Sequence, residues 1–239
     1  MTAVSKPRAL LLAKMDPPAA GEREWNEYYN NKHVADRVAI PGFLSAQRFA
    51  LVGGVPPEYA IPGDARYLAL YDLEDIGVLK GEAYHRIWEQ DRARPVGSWE
   101  DQMLKLPKFA RGIYEQIGPN DPAYDAPPSR FVLVVGPEVA RGKAKEFNAW
   151  YETEHIPALL EVPGVLAIRR FVMAEKEYPP ITGKGGVLSR FLAIWDVADE
   201  GPFETDAFRK AATSPWSRWV HGWSTRKICA FYRRMYPAN

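Results

Sequence analysis

Cysteine is almost missing from this chain: Cys229 is alone among 239 residues. That excludes an intrachain disulfide and any paired-cysteine metal site. Histidine is scarce too, with four scattered residues and no carboxylates at ligand spacing, so neither a metal nor another cofactor is expected. Neither sign of charge dominates. With 31 Lys and Arg against 30 Asp and Glu, the net charge is +1, which leaves no electrostatic footprint for nucleic acid or an anionic membrane. Long apolar runs are lacking, and the opening MTAVSKPRALLLAKMD holds only a five-residue one. That is too short for a signal-peptide core or a membrane span, so a cytoplasmic protein is expected. No phosphate-cradling glycine motif occurs, since Gly183-Lys184-Gly185-Gly186 reads as a loop rather than a strand-to-helix turn. No G-x-S-x-G elbow is present, and Cys229 lies in an apolar strand where a thiol is inert.

Aromatics, by contrast, are plentiful. Eight Trp, twelve Tyr and ten Phe make up 13% of the chain, which suits a bulky core and equally a pocket for a ring-containing ligand. They cluster on a stretch that occurs twice. Trp25–Phe49 and Phe147–Phe171 align without a gap at a displacement of 122, with eight identities in 25 positions. The matched pairs are Asn26/Asn148, Tyr29/Tyr151, His33/His155, Pro41/Pro163, Gly42/Gly164, Leu44/Leu166, Arg48/Arg170 and Phe49/Phe171. Arg66–Asp75 likewise matches Arg190–Asp199, Pro95 and Trp99 fall opposite Pro215 and Trp219, and Tyr114 falls opposite Tyr232. The chain therefore reads as two copies of one unit, 1–119 and 130–239, joined by a proline-rich linker at 120–129.

Within a copy, apolar runs and helical periodicity alternate. Residues 8–15 predict a strand, and Glu22 to about Val38 predicts a helix with Trp25, Tyr29 and His33 on one stripe. Pro41-Gly42 ends that helix. Phe43–Val52 follows as a strand whose strict alternation puts Leu44, Ala46 and Arg48 on one face and Phe43 and Phe49 on the other. Tyr67–Leu73 predicts a strand, Glu74–Arg94 a second helix, Pro95–Pro107 an irregular stretch or short helix, and Phe109–Ile117 a last strand. The second copy repeats this order, with strands near 130–136, 165–174, 190–197 and 227–235. The order β-α-β-β-α-β is the ferredoxin-like unit, an antiparallel sheet with helices on one face only. The fold class is thus α+β, with two tandem units covering each other's open sheet faces as an intrachain pseudo-dimeric α+β barrel.

The helix with Tyr28-Tyr29-Asn30-Asn31-Lys32-His33, running to Pro41-Gly42 and a strand, resembles the EthD-like members of the dimeric α+β barrel superfamily. So does Trp150-Tyr151-Glu152-Thr153-Glu154-His155, running to Pro163-Gly164. His155-Ile156-Pro157 is the fuller match, because Ala35 stands where the proline would fall in the first copy. The resemblance implies a pocket between helices and sheet in one or both halves. It implies a superfamily of varied activities, some members ligating haem through a second-helix histidine, here His85.

His33 and His155 are the candidate acid–base groups, each one turn after its tyrosine, Tyr29 or Tyr151. Near a helix C-terminus the dipole favours imidazolium while burial opposes it, which would set the pKa near neutral. The alternative is a cap on the last carbonyls of the histidine's own helix. Arg48 and Arg170 either clamp a ligand oxyanion or pair with Asp72 and Asp196, the ion pair being the simpler expectation. Trp25, Tyr67, Trp88, Trp195, His85 and His221 complete the candidates for contacting a ligand, and His85 also reads as a solvated surface residue. The function expected is a cofactor-independent lyase or isomerase acting on an apolar aromatic or polyketide-like molecule, in a monomer or homodimer. The alternatives are a binding or structural barrel without turnover, and a haem-dependent enzyme.

Overall fold

The computed structural model describes residues 8–52, 59–119 and 129–237. The linker expected at 120–129 lies outside them except for Ser129. The first half comprises β1 (Ala9–Met15), helix α1, β2 (Phe43–Val52), β3 (Tyr67–Leu73), α2 (Glu82–Arg92), α3 (Trp99–Met103) and β4 (Ala110–Gly118). The second comprises β5 (Phe131–Val139), helix α4, β6 (Val165–Met173), the two-residue β7 (Ile181–Thr182), β8 (Phe191–Val197), α5 (Asp206–Ala212), α6 (Pro215–His221) and β9 (Ser224–Tyr236). Helices α1 and α4 are each composite. In α1, Glu22–Tyr28 and Val34–Val38 flank a π-helical turn, Tyr29–His33; in α4, Ala144–Trp150 and Ile156–Leu160 flank Tyr151–His155.

Eight antiparallel strands close a barrel in the order β1-β3-β2-β9-β5-β8-β6-β4 and back to β1. Each half supplies four adjacent strands. The halves are hydrogen-bonded edge to edge, through β2–β9 (Ala50 opposite Arg233) and β4–β6 (Tyr114 opposite Met173). The uncovered sheet faces thereby become one enclosed interior, and the four exposed edges of two separate sheets disappear. Leu10, Leu12, Phe49, Leu70, Val132, Phe171, Ile194 and Ile228 fill that interior. Tyr114 and Tyr232, the matched pair, are buried there and each donates to a backbone carbonyl, of Ser189 and Ala65, at 3.0 Å.

The helices pack outside the barrel, giving each half its own helix-on-sheet core. A bulge in β2 between Phe43 and Ser45, and one in β6 between Val165 and Ala167, rephases each strand. Phe43 therefore joins the helix-side core with Ala46, while Phe49 points into the barrel. Strict alternation had placed both on one face. The repeated Pro-Gly has a steric cause. Gly42 and Gly164 adopt φ of 93° and 88°, and a Cβ would lie 2.5 Å from Val78 or 2.7 Å from Pro202.

Two boundaries differ from expectation. Residues Ile76–Lys80 form a 3-10 turn ahead of α2, because Asp75 caps Gly77 and Gly81 breaks the α register. The capping serines Ser98 and Ser214 align α3 with α6, so Trp99 stands opposite Pro215 rather than Trp219. No helix among the described residues is long and apolar enough to cross a membrane.

Candidate functional site

Between the helices and sheet of the second half lies a cavity of about 370 Å³. Its sheet wall is Leu133 and Val135 of β5, Trp195 of β8 and Cys229 of β9; its helix wall is Phe147, Trp150, Tyr151 and His155 of α4, with Phe208 and Ala212 of α5. Tyr59 and Ile61 reach across from the first half, and His221, Thr225 and Arg226 stand on the remaining side. The wall combines aromatic and aliphatic side chains with a smaller set of polar groups, which is the usual make-up of a small-molecule site.

The π-turn of α4 places the two polar residues. The Ile156 N–H bonds the Tyr151 carbonyl, five residues back, so Tyr151 and His155 open and close one wide turn. Pro157 does not cause this, because the first half forms the same turn with Ala35. His155 stacks on Trp150 with centroids 4.2 Å apart and meets Tyr151 edge-on at 5.1 Å. The ring bonds the Ala211 backbone, while Nδ1 is buried without a protein partner. Burial, then the charge of His221, hold its pKa down at about 3. His155 is therefore a neutral imidazole at pH 7. Burial pushes the Tyr151 hydroxyl up to about 12 despite Arg170 nearby, so it stays protonated and able to donate. Burial likewise raises the Cys229 thiol to about 11, keeping it un-ionised.

Both histidine expectations need correction. Neither lies at a helix C-terminus, since α1 continues to Val38 and α4 to Leu160. The dipole therefore gives little help and burial wins, moving both pKa values down rather than leaving them near neutral. Nor does His155 cap its own helix, because its backbone partner belongs to α5.

Arg48 and Arg170 face the helices but do not pair with Asp72 and Asp196. Arg48 donates to Asn26 Oδ1 at 2.7 Å and Asn30 Oδ1 at 2.5 Å and lies 4.2 Å over the Tyr29 ring. Arg170 donates to Asn148 Oδ1 at 2.5 Å and lies 4.3 Å over Tyr151. The carboxylates are claimed by Arg169, one residue along on the other face, which contacts Asp72 at 2.8 Å and Asp196 at 3.4 Å and so ties the halves together. Arg48 and Arg170 thus fix the rings of the two motif tyrosines.

Of the remaining candidates, Trp195 and His221 join His155 and Tyr151 at the cavity. In the first half, Trp25 is buried against Trp99 and Tyr29, and Tyr67 donates to Glu22 at 2.5 Å. Trp88 lies under the Arg111 guanidinium. His33 packs on Tyr29 at 4.5 Å, close to the buried Arg37–Asp91 ion pair. None of these lines the cavity described. His85 is exposed on α2 and lines no part of it either, so a haem held through His85 would not occupy this cavity. Among the described residues no group of three or more His, Cys, Asp or Glu is arranged to hold a metal ion. Sequence reading missed Tyr59 and Arg226, which sit on a loop and a strand end with no periodic signal.

No family model matches the chain, and neither does any of the curated proteins. Solved structures do. An anthrone oxidase-like protein is 13% identical with a TM-score of 0.57, over 99% of this chain and 94% of its own. A mutant chlorite dismutase from Candidatus Nitrospira defluvii is 10% identical with a TM-score of 0.57, over 97% of this chain and 92% of its own. Joined to the closed eight-stranded barrel with helices outside, these matches show that the chain has the dimeric α+β barrel fold, two tandem ferredoxin-like units in one polypeptide.

Proposed function

We propose that the second-half cavity binds an apolar, ring-bearing small molecule and moves a proton on it, as a cofactor-independent lyase or isomerase. The observation that carries this is the aromatic enclosure of about 370 Å³ around a neutral imidazole and a protonated phenol on one helical turn. Tyr151 donates a hydrogen bond to a substrate oxygen, and Arg170 over its ring steadies it. His155 accepts the proton. Burial holds its pKa near 3, and a negative charge developing on a bound oxygen offsets that burial, so imidazolium becomes accessible where an enolate or phenolate forms. Decarboxylation, dehydration and ring closure all share this step. The small-molecule enzymes named among structures of this fold support catalysis in general terms.

The same low pKa favours a second reading, binding without turnover, in which His155 serves only as a hydrogen-bond acceptor. Incubation with a panel of hydroxylated aromatics and polyketide-like ketones, followed by mass spectrometry, tests both. The proposal expects loss of carbon dioxide or water, or an isomer, from at least one bound compound. Saturable binding with no product across the panel leaves the second reading, and no binding at all removes both.

A further inference from the structure

Arg226 differs from the other cavity groups in being charged. It is half-buried beside the aromatic wall, and among the described residues no carboxylate lies within ion-pair distance of it. Elsewhere the partly or fully buried arginines are engaged: Arg37 with Asp91, Arg169 with Asp72 and Asp196, Arg48 and Arg170 with asparagines. Among the described residues, Arg226 has the Tyr59 ring, 5.4 Å from its guanidinium carbon, and the Cys229 thiol. Glu138, on the neighbouring strand, is held instead by Lys227 at 2.9 Å. A guanidinium set beside apolar walls is placed to pair with an anion that enters the cavity.

Resting on the cavity reading above, the geometry points to Arg226 as the recognition point for a carboxylate on the ligand, so that the substrate class is an aromatic acid with its ring among Trp150, Trp195 and Phe208. The guanidinium fork matches a carboxylate in a bidentate pair, and the Tyr59 ring, from the other half of the chain, lies 5.4 Å from the guanidinium carbon. The charge of Arg226 also reaches the titratable groups around it. Burial first, then Arg226, lowers His221, and Arg226 is among the smaller influences on His155 and Tyr151. A carboxylate seated on Arg226 cancels that field, so ligand binding is accompanied by easier protonation of the two histidines.

Calorimetric titration with 2-naphthoate and with its neutral isostere 2-naphthamide tests this on the whole chain. The wild type is expected to bind the acid about 10-fold or more tighter than the amide, with the difference shrinking as salt is raised. Arg226→Leu is expected to weaken acid binding by about 10–100-fold and leave the amide unchanged, with Arg226→Lys between them. Equal binding of acid and amide by the wild type overturns the assignment of Arg226 while leaving the cavity reading standing, and needs no variant to fold. Failure of both compounds to bind overturns the two together.

Discussion

In the first half, position 37 is an arginine paired with Asp91, position 71 is a tyrosine whose hydroxyl meets Tyr29 at 3.3 Å, and position 88 is a tryptophan. In the second, the repeat puts Leu159, Trp195 and Ala212 at those places. Helix α5 also ends after seven residues where α2 has eleven. The same Tyr–x–x–x–His turn is thus held in two different surroundings. Around His33 the structure supplies a buried ion pair and a hydroxyl partner for the tyrosine. Around His155 it withdraws both, and the cavity described above adjoins it. A duplicated motif thus keeps its own residues while its neighbours decide which polar partners surround it.

Removing each histidine in turn should separate the two halves most strongly. His155→Gln is expected to lower turnover by about 10²–10⁴, the worth of a positioned acid–base group. His33→Gln is expected to leave turnover per folded molecule unchanged. Steady-state rates on whichever compound the protein converts, corrected for folded fraction by circular dichroism, decide it. Equal losses in both variants, or none in His155→Gln, would sink the asymmetry.

Much of the fold was legible because duplication doubles every signal. Phe43–Val52 and Tyr67–Leu73 are strands with the bounds read from their apolar patterns, and Pro-Gly marked a turn whose glycine needs a positive φ. The π-turns were not legible, since a stripe at i, i+4, i+8 looks alike whether the intervening turn is α or π. The bulges were hidden for a related reason: one extra residue in a strand leaves composition untouched. The partners of Arg48 and Arg170 were in plain view, because Asn26 and Asn148 recur 22 residues before each arginine, yet ion pairing to Asp72 and Asp196 was the chemically simpler choice. The cavity was out of reach. Its wall takes in Ala212, on a helix that shares little sequence with α2, and Tyr59, arriving from the other half.

A smaller effect of the two histidines shows in stability. Both histidines have folded pKa values below the ordinary 6.5, His155 at about 3. Below pH 6.5 the unfolded chain therefore binds a proton that the folded chain refuses, and stability falls as pH drops, by up to about 1.4 kcal/mol per pH unit for each histidine. The slope is half its full value at pH 6.5 and fades out over about one pH unit above it. Urea unfolding of the wild type, His33→Gln and His155→Gln between pH 5 and 6.5 should show the slope reduced by a similar amount in both variants. The two residues would then be equal in linkage and unequal in chemistry. A slope unchanged by either substitution would mean that these rings are not held neutral by burial.

The smallest expected effect concerns the hydroxyl pair of Tyr29 and Tyr71, which the second half lacks. Both rings are fully buried, and each hydroxyl is the other's hydrogen-bond partner at 3.3 Å. Tyr71→Phe strands the Tyr29 hydroxyl in a dry place and should cost about 1 kcal/mol, as should Tyr29→Phe. Removing both takes away the bond and the unsatisfied group together, so the double variant should lie closer to the wild type than the sum of the two losses. In the second half Trp195 offers Tyr151 no hydroxyl, and the cavity adjoins that ring. Tyr151→Phe should accordingly cost less stability than Tyr29→Phe, while weakening the binding of a hydroxylated or ketone ligand. Additive losses in the first half would show that the pair is not coupled. A Tyr151→Phe loss as large as that of Tyr29→Phe, with ligand affinity unmoved, would place Tyr151 among the structural tyrosines and leave His155 without its donor.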